Sequence, residues 1–331
     1  MFYFGYNHTD YNALLHQYAK ALGTTVSSDG VLNFPNHYAN GYYKAIPMPQ
    51  GLQVMILNIS FNHDFYINRM KSKDDFFVLR FDEIKVKNHI TVKLGKEYFQ
   101  SETNTLSSAV ITSSKTEFGY ILRKGTSIRG VNILISKDCL SHCLGLEFAD
   151  SLIQKYLVLQ AKHLNEEPFD TEYRKLLNEI MLEEEHDNPL KMVVIQNRIM
   201  LLLERFFSRL YKKMNKTIPN NTATKDEVKR LVTIESKLIS DFTQSPPSIS
   251  ELAREARMSE TKFKNKFKEL YSASPHEYFQ KNRMILARNL LVTGKYSVKE
   301  VGIKLNFKNL SNFSIAFKKE FGFLPSEISN V

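Results

Sequence analysis

The chain has 331 residues, of which 43% are hydrophobic and 24% are charged. This length excludes a single small core and predicts two globular domains. The formal net charge is +10, and the stretch from Arg257 to Lys319 holds 14 basic residues against 4 acidic ones. Positive charge concentrated in one stretch predicts a surface that binds a polyanion.

Membrane insertion and export are not expected. The N-terminal sequence MFYFGYNHTDYN has neither the basic start nor the apolar run of a signal peptide. The most apolar helical stretch, Met192–Tyr211, contains Arg198, Glu204 and Arg205, which are expensive to bury in lipid. We therefore expect a cytoplasmic protein with no membrane partner.

Residues 1–145 have the pattern of a β-rich domain that follows a short helix. Asp10 is a suitable N-cap for that helix and Gly23 a suitable end, and its apolar face consists of Leu14, Leu15, Tyr18 and Leu22. Short apolar runs follow at Gln53–Ile59, Phe76–Phe81, Ile90–Val92, Ala109–Ile111, Phe118–Ile121 and Val131–Ile135. Their length and spacing predict an antiparallel barrel or sandwich, because parallel strands would need helices between them.

Residues 146–214 have a helical pattern, and residues 215–224 read as a polar linker. A helix predicted at Pro189–Met214 is apolar on two sides. One side has Met192, Ile195, Ile199, Leu202, Phe206 and Leu210, and the other has Val193, Val194, Met200, Leu201, Leu203 and Phe207. Such a helix is either fully buried or packs against another molecule as a dimerisation helix.

Residues 225–331 are predicted to be all-helical and contain an internal repeat. Ile249, Leu252, Ala253, Ala256 and Met258 recur 49 residues later as Val298, Val301, Gly302, Leu305 and Phe307. Phe263, Phe267, Pro275 and Glu277 recur 50 residues later as Phe313, Phe317, Pro325 and Glu327. We therefore expect an α+β multidomain protein with a β-rich N-terminal domain, further helices, and a duplicated all-α C-terminal domain.

Each copy has the pattern of a helix-turn-helix unit, at about residues 249–270 and 298–320. In the first copy the small Ala253 allows a close approach of the next helix, Met258 and Ser259 form the turn, and Ser259 caps a helix at Glu260–Tyr271. In the second copy Gly302 takes the place of the alanine, and Asn306 stands in the turn. Between the copies, His276–Leu291 is predicted to be a connecting helix of about 24 Å, which can hold the two units in adjacent major grooves.

The second helix of each unit leaves polar side chains facing outward. These candidate DNA contacts are Thr261, Lys262, Lys264, Asn265 and Lys268 in the first unit, and Asn309, Ser311, Asn312, Ser314, Lys318 and Lys319 in the second. Amide, hydroxyl and ammonium groups on a helix fit the major groove, where they meet base edges and phosphates.

The segment from Lys229 to Ile328 resembles the DNA-binding domain of the AraC/XylS family of transcription regulators. The matching stretches are ISELAREARMSETKFKNKFKE, SPHEYFQKNRMILARNLL and VKEVGIKLNFKNLSNFSIAFKKEFGFLPSEI. The resemblance implies a sequence-specific regulator, most often an activator, with double-stranded promoter DNA and RNA polymerase as partners.

The same resemblance implies a cupin-like β-barrel or sandwich in the N-terminal domain, followed by helices that form a homodimer. Two roles for the N-terminal domain stay open. It senses a small-molecule effector, or it binds a partner protein in an effector-independent regulator.

The chain departs from the family pattern at three positions. Asn306 stands where the family usually has glycine, and Asn265 and Ile315 stand where arginine is common. Because four lysines lie between Lys262 and Lys268, we expect the first unit to contribute more of the DNA affinity than the second.

No catalytic, cofactor or metal constellation is predicted, so we do not expect an enzyme. Cys139 and Cys143 flank His142, but this local cluster cannot supply the four ligands of a closed zinc site. A disulfide between residues one helical turn apart is also not expected in a reducing compartment. Buried helix residues are the expected role of both cysteines, and an enzyme fused to a DNA-binding domain would have only this pair available.

Overall fold

The computed structural model describes residues 1–7, 10–86, 89–100, 105–144, 167–185, 188–215 and 224–330. Part of the predicted helical region and most of the predicted linker lie outside these residues. The chain divides into two units. Unit 1 comprises Met1–Glu167 and Leu203–Thr217, and unit 2 comprises Pro168–Leu202 and Ile218–Val331.

The strands of the structure lie within residues 1–145, as expected, except for a two-residue strand at Glu167–Pro168 in the stretch that was predicted to be helical. They are β1 (Phe2–Tyr6), β2 (Val31–Asn33), β3 (Ala39–Pro47), β4 (Gln53–Phe61), β5 (Phe65–Arg69), β6 (Phe76–Lys85), β7 (Thr91–Leu94), β8 (Glu97–Gln100), β9 (Thr105–Ser113), β10 (Phe118–Leu122), β11 (Ser127–Ser136) and β12 (Glu167–Pro168). Two helices accompany them, α1 (Tyr11–Leu22) and α2 (Lys137–Leu144), with a 3₁₀ turn at Pro49–Gly51. Each predicted apolar run overlaps one of these strands.

Unit 1 contains two separately hydrogen-bonded sheets. One sheet has the order β1-β5-β10-β7-β8, and the other contains β9-β6-β11-β4-β3-β2 in that order. A single core cluster takes side chains from both sheets and from α1, including Phe65, Val78, Phe118 and Leu15. The N-terminal region is thus β-rich, with two open sheets over a shared core.

The prediction of an all-antiparallel domain was wrong at one edge. β1 pairs in parallel with β5, with Phe2 opposite Phe65 and Tyr6 opposite Arg69. The parallel pairing is sterically available because α1 and three strands lie between β1 and β5 along the chain. The short alternation in FYFGY was not recognised as a strand.

The predicted helix α1 is confirmed. The Asp10 carboxylate accepts a 2.7 Å hydrogen bond from the Ala13 backbone N–H, and Gly23 ends the helix in the left-handed conformation at φ 67°. Its four predicted core residues are buried: Leu14, Leu15, Tyr18 and Leu22. In α2, Cys139 is buried, as expected, and is not in a disulfide, whereas the side chain of Cys143 lies outside the described residues.

The helices of unit 2 are α3 (Thr171–Glu185), the first part of α4 (Lys191–Asn215), α5 (Lys225–Leu238), α6 (Ile249–Glu255), α7 (Glu260–Tyr271), α8 (Pro275–Val292), α9 (Val298–Lys304) and α10 (Leu310–Phe321). A 3₁₀ turn follows at Pro325–Asn330. Among the described helices none combines the length and hydropathy that crossing a bilayer requires.

Helix α4 is buried on one side only. Ile195, Ile199 and Leu202 are fully buried, whereas Val193 is 65% exposed and Met200 is 45% exposed. The alternative of a fully buried helix was therefore wrong. Val193 and Met200 lie seven residues apart on one face of the helix, and large apolar side chains exposed there need another explanation.

A buried ion pair joins α3 to the helices that follow it in unit 2. Arg174 donates to the Glu235 carboxylate at 2.7 Å and to the Tyr278 hydroxyl at 3.0 Å, and Tyr278 donates to the same carboxylate oxygen at 2.6 Å. All three side chains are buried. Because each charged or polar group has a partner, the network fixes α3 against α5 and α8.

Candidate nucleic-acid interface

The C-terminal helices form two equivalent three-helix sets, α5-α6-α7 and α8-α9-α10. In each set the last two helices are the predicted helix-turn-helix unit. Their phenylalanines have the same placement, since Phe263, Phe267, Phe313 and Phe317 are all fully buried. The ring centroids are 5.7 Å apart in the first pair and 5.9 Å apart in the second. The repeat found in the sequence is thus a repeat in structure.

The first helix of each unit begins with the same capping box. Ser248 caps α6 and receives Glu251 in return, and Ser297 caps α9 with Glu300, 49 residues later. The serine backbone N–H and hydroxyl hold the pKa of Glu251 and of Glu300 below the usual range of a glutamate. Both helix starts are therefore specified locally.

The turns of the two units also match, although the first differs from the prediction. Asn306 has the expected positive φ, at 58°. Its counterpart in the first unit is Arg257, with φ 55°, rather than Met258 or Ser259. Asparagine adopts a positive φ more often than most residues, whereas arginine rarely does, so the residue type gave no signal at position 257. Ser259 caps α7 as predicted, and Asn309 caps α10 through a 2.7 Å bond from the Ser311 N–H.

Small residues allow the close contact between the helices of each unit. Ala253 is buried against the core of the first unit. A Cβ added to Gly302 would lie 2.6 Å from Leu310 Cδ2 and 3.4 Å from the Phe313 ring. The glycine therefore gives α10 the room it needs beside α9.

An arginine from the preceding helix holds each unit in place. Arg230 of α5 donates to the Ala256 carbonyl at 2.8 Å, and Arg283 of α8 donates to the Leu305 carbonyl at the same distance. Those carbonyls lie 49 residues apart, at the C-terminal ends of α6 and α9. Arg283 also lies 3.7 Å from the centroid of the Phe307 ring. Each arginine satisfies a carbonyl that the helix itself leaves free.

These arginines belong to a part of the repeat that the sequence reading missed. Leu231, Ile234 and Leu238 of α5 correspond to Met284, Ala287 and Leu291 of α8, 53 residues later, and all six are buried. The different offset hides the correspondence when copies are compared at 49 or 50 residues. The predicted connecting helix is thus also the first helix of the second set.

In the first unit the predicted contact residues are exposed, but its lysines are not equivalent. Thr261, Lys262, Lys264, Asn265 and Lys268 all lie on the surface. Lys262 pairs with Glu227 at 2.5 Å, which lowers the pKa of that carboxyl. Lys266 is buried and pairs with Glu269 at 3.1 Å. Three of the four lysines are therefore exposed instead of four, and Lys264 lies 3.9 Å from the Glu260 carboxylate.

In the second unit the same surface of α10 combines polar and apolar groups. Asn309, Ser311, Asn312, Lys318 and Lys319 are exposed, and Ser314 is half-buried. Ile315 is 67% exposed on this helix. The sequence analysis noted it only as a position where arginine is common and did not count it among the candidate contacts. Among the described residues no group of histidine, cysteine or carboxylate side chains is arranged to hold a metal ion.

Comparisons with known proteins agree with this geometry. The family model described as "Helix-turn-helix domain" matches residues 252–330. The virulence regulon transcriptional activator VirF of Yersinia enterocolitica is 33% identical over 79 residues, which cover 24% of this chain and 29% of VirF. The transcriptional regulator ExsA of Pseudomonas aeruginosa is 30% identical over 78 residues, which cover 24% of this chain and 28% of ExsA.

A solved structure, ToxT from Vibrio cholerae, aligns with 83% of this chain and 97% of its own, at 17% identity and a TM-score of 0.29. The match spans less than a third of the length of VirF and of ExsA. The resemblance stated from the sequence is confirmed as far as the matched segment goes: residues 252–330 match a helix-turn-helix domain, and the two relatives that share the segment are transcription regulators.

Proposed function

We propose that the protein is a sequence-specific DNA-binding regulator of transcription, acting as an activator at promoters. The observation that carries the proposal is the duplicated helix-turn-helix domain, in which α7 and α10 each expose a polar face within the most basic part of the chain. A helix of this kind enters the major groove, and phosphate contacts from lysines supply affinity.

The two units predict an asymmetric, two-part site. Helix α8 has 18 residues and is about 27 Å long at the usual rise per residue. Units joined by such a helix suit neighbouring major grooves, which lie about 34 Å apart along one face of the duplex. In the second half-site we expect a thymine opposite Ile315, because an exposed aliphatic group contacts the thymine methyl favourably.

Selection of genomic DNA fragments by the purified full chain, at near-physiological salt, tests the proposal. We expect one asymmetric two-part motif upstream of genes. Uniform recovery of all fragments would mean that the basic surface binds only the DNA backbone, and would contradict sequence-specific regulation.

The two recognition helices can be ranked by paired substitutions. We expect Lys264→Ala with Asn265→Ala to weaken binding to the selected motif more than Ser311→Ala with Asn312→Ala, because only the first pair removes a charge. The first double variant should lose roughly 10- to 100-fold in affinity, the range expected for one phosphate and one base contact. Fluorescence anisotropy at fixed salt measures both, and the reverse ranking would contradict the dominance of the first unit.

We further propose that the protein acts as a homodimer through α4. Five large apolar side chains are exposed at the N-terminal end of α4 or just before it, at Leu190, Met192, Val193, Met200 and Leu201. A second copy presents the same helix face, so a two-fold axis would pair like with like and remove these groups from water.

A charge placed on this face should separate the dimer. We expect the Val193→Glu, Met200→Glu double variant to be monomeric in analytical ultracentrifugation at concentrations where the wild type is dimeric. Tyr98→Glu, which adds a charge at an exposed aromatic of unit 1, is the matched control and should leave the dimer intact. A wild type that sediments as a monomer at every concentration would sink the proposal.

For the N-terminal domain we propose control by a small-molecule effector, with binding of a partner protein as the alternative. Co-purification of a stoichiometric protein partner would favour the alternative. Buried polar atoms without hydrogen-bond partners among the described residues in the interior of unit 1 favour the effector.

A further inference from the structure

The core of unit 1 contains a group of polar side chains that an ordinary core would not have. We call it the interior polar cluster and define it as Tyr11, Arg69, Arg80, Asp82 and Tyr120. Alternation along β6 puts Arg80 and Asp82 on the same face as Val78 and Ile84, which belong to the core. Arg69 of β5 is paired with Phe118 of the neighbouring strand β10, so the cluster draws on both sheets.

Arg69 is the most buried member of the cluster, at 1% exposure. Its Nη2 donates to the carbonyls of Ser113, at 2.6 Å, and Thr116, at 3.0 Å. Its Nε and Nη1 have no hydrogen-bond partner among the described residues. A buried guanidinium with two unpaired donors is costly, and a ligand that accepts hydrogen bonds from both would remove that cost.

Asp82 supplies an unpaired acceptor in the same place. Its Oδ2 accepts a 3.2 Å hydrogen bond from the Tyr120 hydroxyl, whereas Oδ1 is buried without a partner among the described residues. Gly130 stands opposite Asp82 in β11, and a Cβ there would lie 2.3 Å from Oδ1. The glycine therefore makes room for a carboxylate that has one oxygen free.

The charges of the cluster do not cancel. Arg69 and Arg80 carry two positive charges, and Asp82 is the acidic member. Burial, together with the nearby Arg80 charge, lowers the pKa of Arg69 to about 10, so the guanidinium stays charged near pH 7. Burial also raises the pKa of Asp82 to about 6. An added anion would balance the excess positive charge.

The remaining members define the other features of the site. The Tyr11 hydroxyl is buried without a partner among the described residues, and its pKa is raised by burial and shifted further by the charges of Arg80, Arg69 and Asp82. Arg80, Arg69 and Asp82 therefore lie within electrostatic range of the phenol. Arg80 donates to the Thr112 hydroxyl at 3.0 Å and lies 4.4 Å from the centroid of the Phe118 ring, which gives the site an apolar wall.

We propose that the interior polar cluster binds a small organic acid that also carries a hydroxyl group. The carboxylate of the ligand accepts hydrogen bonds from the free N–H groups of Arg69 and from Tyr11, and its hydroxyl donates to Asp82 Oδ1. Charge-assisted hydrogen bonds of this kind are the strong ones. As the effector site of a regulator, this inference rests on the proposed function, whereas the binding itself does not.

Thermal unfolding of the full chain tests the site with defined probes. The probes are sodium lactate, glycerate and gluconate, each compared with sodium chloride at equal ionic strength, and with propane-1,2-diol and glycerol as uncharged analogues. We expect at least one hydroxy acid to raise the Tm in proportion to the logarithm of its concentration, while chloride and the uncharged analogues do not. Calorimetric titration of that acid then gives its Kd.

Variants separate the site from general anion binding. Arg69→Met should weaken the acid at least about tenfold, and Tyr11→Phe, which keeps the ring and removes only the hydroxyl, roughly threefold to tenfold. Arg123→Gln, an exposed arginine of the same unit that pairs with Asp64, is the matched control and should bind as the wild type does. If Arg69→Met does not fold, Tyr11→Phe gives the result alone.

Three results would overturn the inference: no protection by any hydroxy acid, equal protection by chloride, or unchanged affinity in Tyr11→Phe and in any folded Arg69→Met. The DNA selection is independent of all three. A protein that selects a DNA motif but binds no hydroxy acid loses this site and keeps the proposed function. A protein that binds the acid but selects no DNA loses the proposed function and keeps the site.

Discussion

Glu235→Ala should lower the free energy of unfolding of unit 2 by about 3–5 kcal/mol, the usual cost of leaving a buried charge without its partner. In the wild type the Glu235 carboxylate accepts from Arg174 and from Tyr278, and all three groups are buried. The substitution removes the carboxylate that the buried Arg174 guanidinium contacts at 2.7 Å. Urea unfolding followed by circular dichroism measures the change as a shift of the midpoint at constant slope.

A matched control lies nearby in the same unit. Glu255 pairs with Lys237 at 2.5 Å, but the two side chains are 40% and 55% exposed. Glu255→Ala should therefore cost between about 0 and 1 kcal/mol. Replacing both Arg174 and Glu235 by leucine should be less harmful than Glu235→Ala alone, because no unpaired charge remains. Equal losses of unfolding free energy in Glu235→Ala and Glu255→Ala would show that the buried network stabilises unit 2 no more than an exposed ion pair does.

Arg283→Leu should both destabilise the second helix-turn-helix unit and weaken DNA binding. The arginine is 7% exposed, donates to the Leu305 carbonyl, and lies over the Phe307 ring. Removing it leaves the carbonyl end of α9 without its donor, at a cost of about 1.5–3 kcal/mol, and frees α10 from its fixed position. We expect roughly a tenfold loss of affinity for the two-part motif, because one base contact is worth about that much.

Loss of charge must be separated from loss of position. Arg254→Leu removes the same charge from an exposed site of α6 and is the control. The two variants should differ in urea stability and in sequence preference: Arg283→Leu should relax selection at the second half-site only. If Arg254→Leu weakened binding equally and with the same loss of preference, the positioning role of Arg283 would be wrong.

The C-terminal domain was predictable because its information is local and repeated. Serine caps with glutamate three residues later, phenylalanines at helical spacing, and a second copy at an almost constant offset all point to the same structure. The candidate contact residues follow from those phenylalanines, since the buried face of a short helix fixes the exposed one. Whether each side chain contacts DNA remains a prediction.

The rest depended on contacts that no local pattern records. Helical spacing leaves Lys266 out of the outward-facing set, but the sequence does not show that it is buried or that it pairs with Glu269. The positive φ of Arg257 follows from its equivalence to Asn306 in the fold, not from its residue type. In β6, the two-residue alternation puts Arg80 and Asp82 on the core face. The sequence does not show that buried polar atoms of Arg69, Asp82 and Tyr11 lack hydrogen-bond partners, because this depends on the neighbouring strands.

The buried network also sets where this chain can be cut and rejoined. The matched domain begins at residue 252, whereas unit 2 also includes Pro168–Leu202. A recombination event that exchanged residues 225–331 between related genes would separate Glu235 and Tyr278 from Arg174, which donates a hydrogen bond to each of them. The segment that must be exchanged as a whole is therefore larger than the matched domain. It includes Arg174, whose two partners lie more than sixty positions further along the chain.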